Sequence, residues 1–224
     1  MSVENYTQRS HIFNALIIAA CLWAMMFSPY LESSLSFWWM MSISATILIG
    51  LAIWHGRDLW KELFEEFKSR SARYWLTQLG LGIGLAIVLW GVFWAGDKLS
   101  QWLFPAFART QVNSIYSIKE GFDPRLVSTL LLLLIGPSEE IFWRGYLQER
   151  LQRLFPDRTW LGALIAIGAY TAIHIASLNF MLIVAAAVCG LIWGGLYWYK
   201  REWFPALILS HALWDATIFV WLPV

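Results

Sequence analysis

Gly136-Pro137-Ser138-Glu139-Glu140-Ile141-Phe142-Trp143-Arg144 interrupts a stretch, 126–147, that is otherwise apolar and long enough to cross a bilayer. About 20 residues rising 1.5 Å each span roughly 30 Å of hydrocarbon. Two carboxylates and a guanidinium placed there mean either a polar interior shared by several helices or a helix that does not span. The rest of the chain favours the first. Further runs of suitable length lie at 12–31, 35–54, 74–96, 160–177, 179–199 and 203–222, so the spacing predicts about seven transmembrane helices, an all-α polytopic membrane protein. Composition agrees: 59% of the residues are hydrophobic and 14% charged, too few charges for a water-soluble surface. The chain reads as one integral-membrane domain whose polar motifs fall within about 126–222.

Several of the 16 tryptophans fall near proposed span ends, including Trp38, Trp54, Trp75, Trp160, Trp203 and Trp221, where an amphipathic ring suits the headgroup layer. Trp143 and Trp214 lie deeper. In 55–73, Leu59, Trp60, Leu63, Phe64 and Phe67 recur at helical spacing, with Arg57, Asp58, Lys61, Glu62, Glu65, Glu66 and Lys68 opposite. That pattern predicts one interfacial amphipathic helix. The 97–125 connection is too long for a turn and too broken to span, and is expected to be interfacial or re-entrant. Ile18-Ala19-Ala20-Cys21 resembles a lipoprotein cleavage box, but the apolar run continues past it through Phe27, so an uncleaved first helix is expected.

Counted on alternate sides, eleven Lys and Arg fall in the N-terminal tail, 55–73, 148–159 and 200–202, against four in 97–125. The positive-inside rule then places the N-terminus in the cytoplasm, in what is expected to be a bacterial inner membrane, with the bilayer as the constant partner. Net charge is +1 and no basic tract carries interleaved aromatics, so no nucleic-acid partner is expected. Cys21 and Cys189 form no CxxC, which leaves neither a disulfide framework nor a cysteine zinc site.

The first, second, third and sixth spans contain no ionisable side chain between their flanks. The fourth carries Glu139, Glu140 and Arg144, the fifth His174, and the seventh His211 and Asp215. At roughly 2.5–3.5 kcal/mol per charged group, leaving these unpaired in hydrocarbon costs on the order of 10 kcal/mol. Glu140 and Arg144 are spaced i,i+4 and can pair, while Glu139 points to another neighbour. His211 and Asp215 share the same spacing, so the carboxylate is expected to orient the imidazole. Pro137 is expected to disturb the helix at Gly136 and open a kink beside Glu139. A glutamate with two histidines on other helices suits hydrolysis, with Glu as base on a water and His positioning it, stabilising an oxyanion or binding a metal. Spacing alone equally admits a proton or ion relay, as in a transporter, and a purely structural staple.

Three motifs in order narrow this: Glu139-Glu140-Ile141-Phe142-Trp143-Arg144 as EExxxR, Tyr170-Thr171-Ala172-Ile173-His174 as aromatic-xxx-His, and His211-Ala212-Leu213-Trp214-Asp215 as Hxxx(Asn/Asp). On successive apolar helices they resemble the CPBP family, the CAAX-processing and bacteriocin-processing intramembrane proteases also called Abi. The match covers about the last hundred residues. The resemblance implies an intramembrane endopeptidase acting on a membrane-associated peptide or protein, with Glu139 as general base, His174 helping to hold the water, and Glu140 and Arg144 as a supporting pair. His211 and Asp215 then face the tetrahedral intermediate or a metal. Family members without catalysis, in immunity or scaffold roles, are the alternative.

Two positions depart from the family pattern. Tyr170 replaces the usual Phe and adds a hydroxyl that needs a partner. Asp215 replaces a frequent Asn, and an ionised Asp cannot donate to an oxyanion, so it is expected to hold His211 or ligate a metal. Zinc would take Glu139, His174, His211 and perhaps Asp215, but no HExxH is present, and a metal-independent, glutamate-activated water is the favoured expectation, with no cofactor. Eukaryotic relatives cut behind a prenylated cysteine, whereas many bacterial ones take leader peptides or sorting tails, so the substrate stays open. Gly80, Gly82, Gly84, Gly190 and Gly194 read first as ordinary small-residue helix packing.

Overall fold

The computed structural model describes residues 3–30 and 36–224 and is a helical bundle without strands among those residues. We number its helices α1 (Val3–Phe27), α2 (Phe37–His55), α3 (Arg57–Lys68), α4 (Ala72–Leu103), α5 (Pro105–Ser117), α6 (Pro124–Leu154), α7 (Pro156–Ser177), α8 (Phe180–Tyr199) and α9 (Arg201–Trp221). All except α3 and α5 are long and apolar enough to cross a membrane, which makes seven candidate spans among the described residues. The span ends expected at 31 and 35 lie outside the described residues. The third and fourth spans run beyond the expected 74–96 and 126–147, because their helices continue through polar ends that hydropathy alone trims.

Local chemistry sets the helix starts. Ser71 accepts the Tyr74 N–H at 3.3 Å at the head of α4, and Asn179 accepts that of Leu182 at 3.0 Å at the head of α8. Asp123 accepts the Arg125 N–H at 2.8 Å, and Pro124 and Pro105 occupy the first turns of α6 and α5, where a missing N–H costs nothing.

Two expectations gain detail and one, for Trp38, needs correction. The 97–125 connection is mostly helical: its first part completes α4, and α5 follows after Phe104. Proline at the head of a helix allowed it, and α5 is then pinned to the α7–α8 turn. There Asn179 donates to the Gln111 carbonyl and to Ser114, each at 2.8 Å, and the Phe180 N–H donates to the Gln111 side chain at 2.8 Å. Trp38 is buried at 2% exposure rather than set in the headgroup layer, whereas Trp54, Trp75, Trp160 and Trp221 are exposed. The regular ladder is disturbed at Gly136 as expected: this residue keeps right-handed helical angles, but its N–H bonds to the Leu131 carbonyl five residues back. The ladder widens to π-helical turns over Leu131–Ile135 and Ile141–Gln148, on either side of the acidic pair.

At Gly136 the backbones of α6 and α9 cross so closely that a Cβ there would lie 2.7 Å from the Ala212 Cα and 2.9 Å from its N. Backbone cannot move aside as a flexible side chain would. This contact sets Glu139 and Glu140 beside His211, the residue preceding Ala212. Gly82, Gly190 and Gly194 likewise face neighbouring helices, while Gly80 and Gly84 face open space. At the opposite end of the bundle α3 buries Leu59 and Leu63 and is held by Arg150 to Asp58, by Arg153 to Glu62 at 2.8 Å and by Arg201 to Glu62 at 3.0 Å.

Gly136→Ala is therefore expected to lower the thermal unfolding temperature of the detergent-solubilised protein, by an overpacking cost of about 1–3 kcal/mol. Gly84→Ala, with nothing near its added methyl, is expected to leave it unchanged or raise it slightly. Equal behaviour of the two variants would show that the α6–α9 crossing is not tight.

Candidate active site

Glu139, Tyr170, His174, His211 and Asp215 all line one cavity of about 470 Å³. Its walls are otherwise mostly apolar, from α1, α2, α4, α5 and α8 as well as the motif-bearing helices. The two adjacent glutamates have different partners. Glu140, fully buried, accepts from Arg144 at 2.7 Å along α6 and from His211 Nδ1 at 2.7 Å across to α9, both on Oε1. Glu139 makes no ion pair among the described residues; the Tyr170 hydroxyl donates to its Oε2 at 3.3 Å. That contact gives the added tyrosine hydroxyl its partner.

The expected orientation of His211 by Asp215 is corrected here. Its Nδ1 is held by Glu140, while Asp215 stands 3.5 Å from Nε2, a looser contact. The spacing i,i+4 shows which side chains share a helix face. It does not show the carboxylate arriving from a crossing helix, and the α6–α9 approach at Gly136 brings Glu140 nearer. The His211 ring also stacks on Trp193, with centroids 3.9 Å apart and planes 20° from parallel. Trp193 donates its indole N–H to Ser210 at 3.2 Å.

His174 begins the 3-10 turn that ends α7, where Leu178 adopts a left-handed backbone with φ of 51°. Its Nδ1 lies 2.8 Å from the Tyr170 carbonyl, an acceptor, so Nδ1 carries the proton and Nε2 keeps its lone pair. That lone pair accepts the Trp23 indole N–H at 3.3 Å. The Arg144 guanidinium lies over the faces of Tyr170 and Trp193, 4.7 and 5.6 Å from their centroids. Two aromatic faces and one carboxylate thus hold a cation that hydrocarbon would expel.

Trp23 and Trp193 touch the two motif histidines, yet sequence reasoning did not single them out. The usable signal was depth: like Trp143 and Trp214, they sit away from the span ends. Nδ1 of His174 is engaged by the Tyr170 carbonyl and Nδ1 of His211 by Glu140, which leaves Nε2 as the working nitrogen of each ring, and no three His, Cys, Asp or Glu among the described residues are grouped to hold a metal ion.

Because Glu140 and Arg144 are both almost fully buried, removing either leaves the other charge unpaired in a low-dielectric setting. Glu140→Ala and Arg144→Ala are each expected to destabilise the solubilised protein by about 3–5 kcal/mol, read as matched drops in unfolding temperature. Collapse of one variant beside full stability of the other would disprove the pairing.

Residues 122–217 match the family model described as type II CAAX prenyl endopeptidase Rce1-like. A protein of Microcystis aeruginosa named UPF0182 protein is 30% identical over 97 residues, which are 42% of this chain and 10% of that protein. The chain thus spans about a tenth of the length of that relative. No solved structure matches the chain. The family match falls on the helices that carry all three motifs and enclose the paired glutamates and both histidines, so over these residues the chain is similar to the CAAX prenyl endopeptidases.

Proposed function

We propose that this integral membrane protein is an endopeptidase that hydrolyses a peptide bond in a membrane-associated peptide or protein, using a water activated by Glu139. One observation carries the reading: of the two adjacent glutamates, Glu140 is committed to Arg144 and His211, whereas Glu139 faces the cavity with a single long hydrogen bond from Tyr170. A general base must be free to take a proton, and Glu139 is the one so placed.

In this reading the water docks between Glu139 and His174, and its second O–H replaces the Trp23 N–H on the Nε2 lone pair of His174. As the water oxygen bonds to the peptide carbonyl carbon, Glu139 takes its proton. The carbonyl oxygen gains the charge and is met by the Nε2–H of His211, whose longer contact to Asp215 gives way while Glu140 keeps hold of Nδ1. Collapse of the intermediate breaks the C–N bond, and Glu139 passes its proton to the departing amine. The products are a carboxylic acid and an amine. Glu140, Arg144 and Trp193 act through His211 as positioning residues. The route is taken as metal-independent and without a cofactor, since no HExxH ligand pair is present. Lys and Arg placement supports a cytoplasmic N-terminus, in a bacterial inner membrane.

Purified protein is to be incubated with candidate membrane peptides from its genomic neighbourhood and the products read by mass spectrometry. Glu139→Gln is expected to keep the fold and the unfolding temperature while lowering cleavage on the order of 10²–10⁴-fold. A variant that still cleaves at the original rate would remove Glu139 from the chemistry and favour a relay or scaffold role.

Asp215→Asn is expected to preserve the fold and part of the activity, since the amide oxygen still accepts from the His211 Nε2–H. Its activity is to be compared with chelator, without chelator and with excess zinc. Indifference to all three is the expected result, and rescue by zinc would overturn the metal-independent route.

A further inference from the structure

The cavity and the basic residues lie at opposite ends of the bundle. One end gathers α5, the α7–α8 turn and the last residues of the chain. It is tied together by the contacts of Gln111 with Asn179, by Lys119 donating to the Phe219 carbonyl at 2.6 Å and by the Val224 N–H donating to Tyr116 at 3.1 Å. The other end gathers α3, the α6–α7 turn and the α8–α9 turn, tied by Arg150 to Asp58, by Arg153 and Arg201 to Glu62, and by Tyr74 donating to the Glu202 carbonyl at 2.6 Å.

Every cavity-lining residue comes from the middle of the bundle or from the first end, and none from 55–73, 148–159 or 200–202. His174 lies three residues from the end of α7 on the cavity side. The second end is closed by side chains: a Cβ on Gly145 would lie 2.5 Å from the Trp60 ring and 2.7 Å from that of Phe204, and Tyr146 and Tyr197 are fully buried. Of the Lys and Arg outside the buried Arg144, eleven belong to the closed end and four to the cavity end. Positively charged flanks stay in the cytoplasm.

We propose that the cavity opens on the non-cytoplasmic face, so that its substrate is a peptide bond presented from outside: an exported peptide, or the outward end of a membrane helix, of mostly apolar sequence. The substrate class rests on the endopeptidase reading, whereas the sidedness does not. A peptide confined to the cytoplasm would meet the closed end and its ion pairs.

The test uses the full chain with Cys21→Ser and Cys189→Ser, into which single cysteines are placed by Asn113→Cys on the exposed face of α5, Ser100→Cys in the cavity wall and Glu65→Cys on the exposed face of α3. Intact spheroplasts are treated with the membrane-impermeant reagent methanethiosulfonate-ethyltrimethylammonium, before and after lysis. Positions 113 and 100 are expected to react roughly ten-fold or more faster than 65 before lysis, with 65 gaining reactivity on lysis. Faster reaction at 65, equal rates at all three before lysis, or an unreactive 100 beside a reactive 113 would each overturn the proposal. Labelling reads no cleavage, so its failure leaves the endopeptidase reading standing. Conversely, a Glu139→Gln variant that still cleaves would sink that reading and leave the sidedness untouched.

Discussion

Glu140 accepts two charged or polar hydrogens on one oxygen, from Arg144 on its own helix and from His211 on α9, each at 2.7 Å. In hydrocarbon a polar group has no water to fall back on, so its partners must come from the protein. That requirement fixes how α6 and α9 sit against each other, and the glycine at 136 lets their backbones approach closely enough to meet it. Arg144 in turn lies over Tyr170 of α7 and Trp193 of α8, so one ion pair reaches four helices. A buried pair of this kind adds little net stability, because two desolvated charges offset their attraction. What it contributes is a penalty for any other arrangement of those helices.

Once Glu140 is consumed in this way, its neighbour is left with a different task. Adjacent carboxylates on a helix diverge, and the π-helical turns on both sides of 136–140 adjust how the faces of α6 are presented. Glu139 then lines the cavity, near Tyr170 and on the same wall system as His174. Tyr170 therefore touches both glutamates' surroundings: its hydroxyl meets Glu139, its ring carries Arg144, and its carbonyl fixes the tautomer of His174.

The helical spans were legible in the sequence because bilayer thickness imposes a length and a composition on them, and residues such as Glu139 and His174 stood out because charge and imidazole are costly there. The partner of His211 was not legible. Asp215 shares its helix face and Glu140 does not, and the decision rests on a helix crossing that no spacing within one helix encodes. Trp23 and Trp193 were hidden for another reason: among 16 tryptophans in apolar segments, a ring that holds a histidine looks like a ring that faces lipid. The helix α5 was obscured by its broken apolar pattern, although Pro105 and the polar Gln111 and Asn113 belong to a short helix laid over the bundle rather than through it.

The two ends of the bundle solve different physical problems. At the α3 end, long basic side chains meet Asp58, Glu62 and Glu149 in a partly solvated network, where each pair is weak and the set holds an amphipathic helix in register. At the α5 end, side-chain amides and carbonyls tie α5 to the α7–α8 turn, and the cavity beside them is mostly apolar. Apolar walls lower the dielectric around Glu139 and strengthen each of its interactions. In the proposed endopeptidase reading such walls suit a hydrophobic peptide, whose backbone amides would then have to be met by the few polar side chains of the lining, Glu139, His174 and His211 among them.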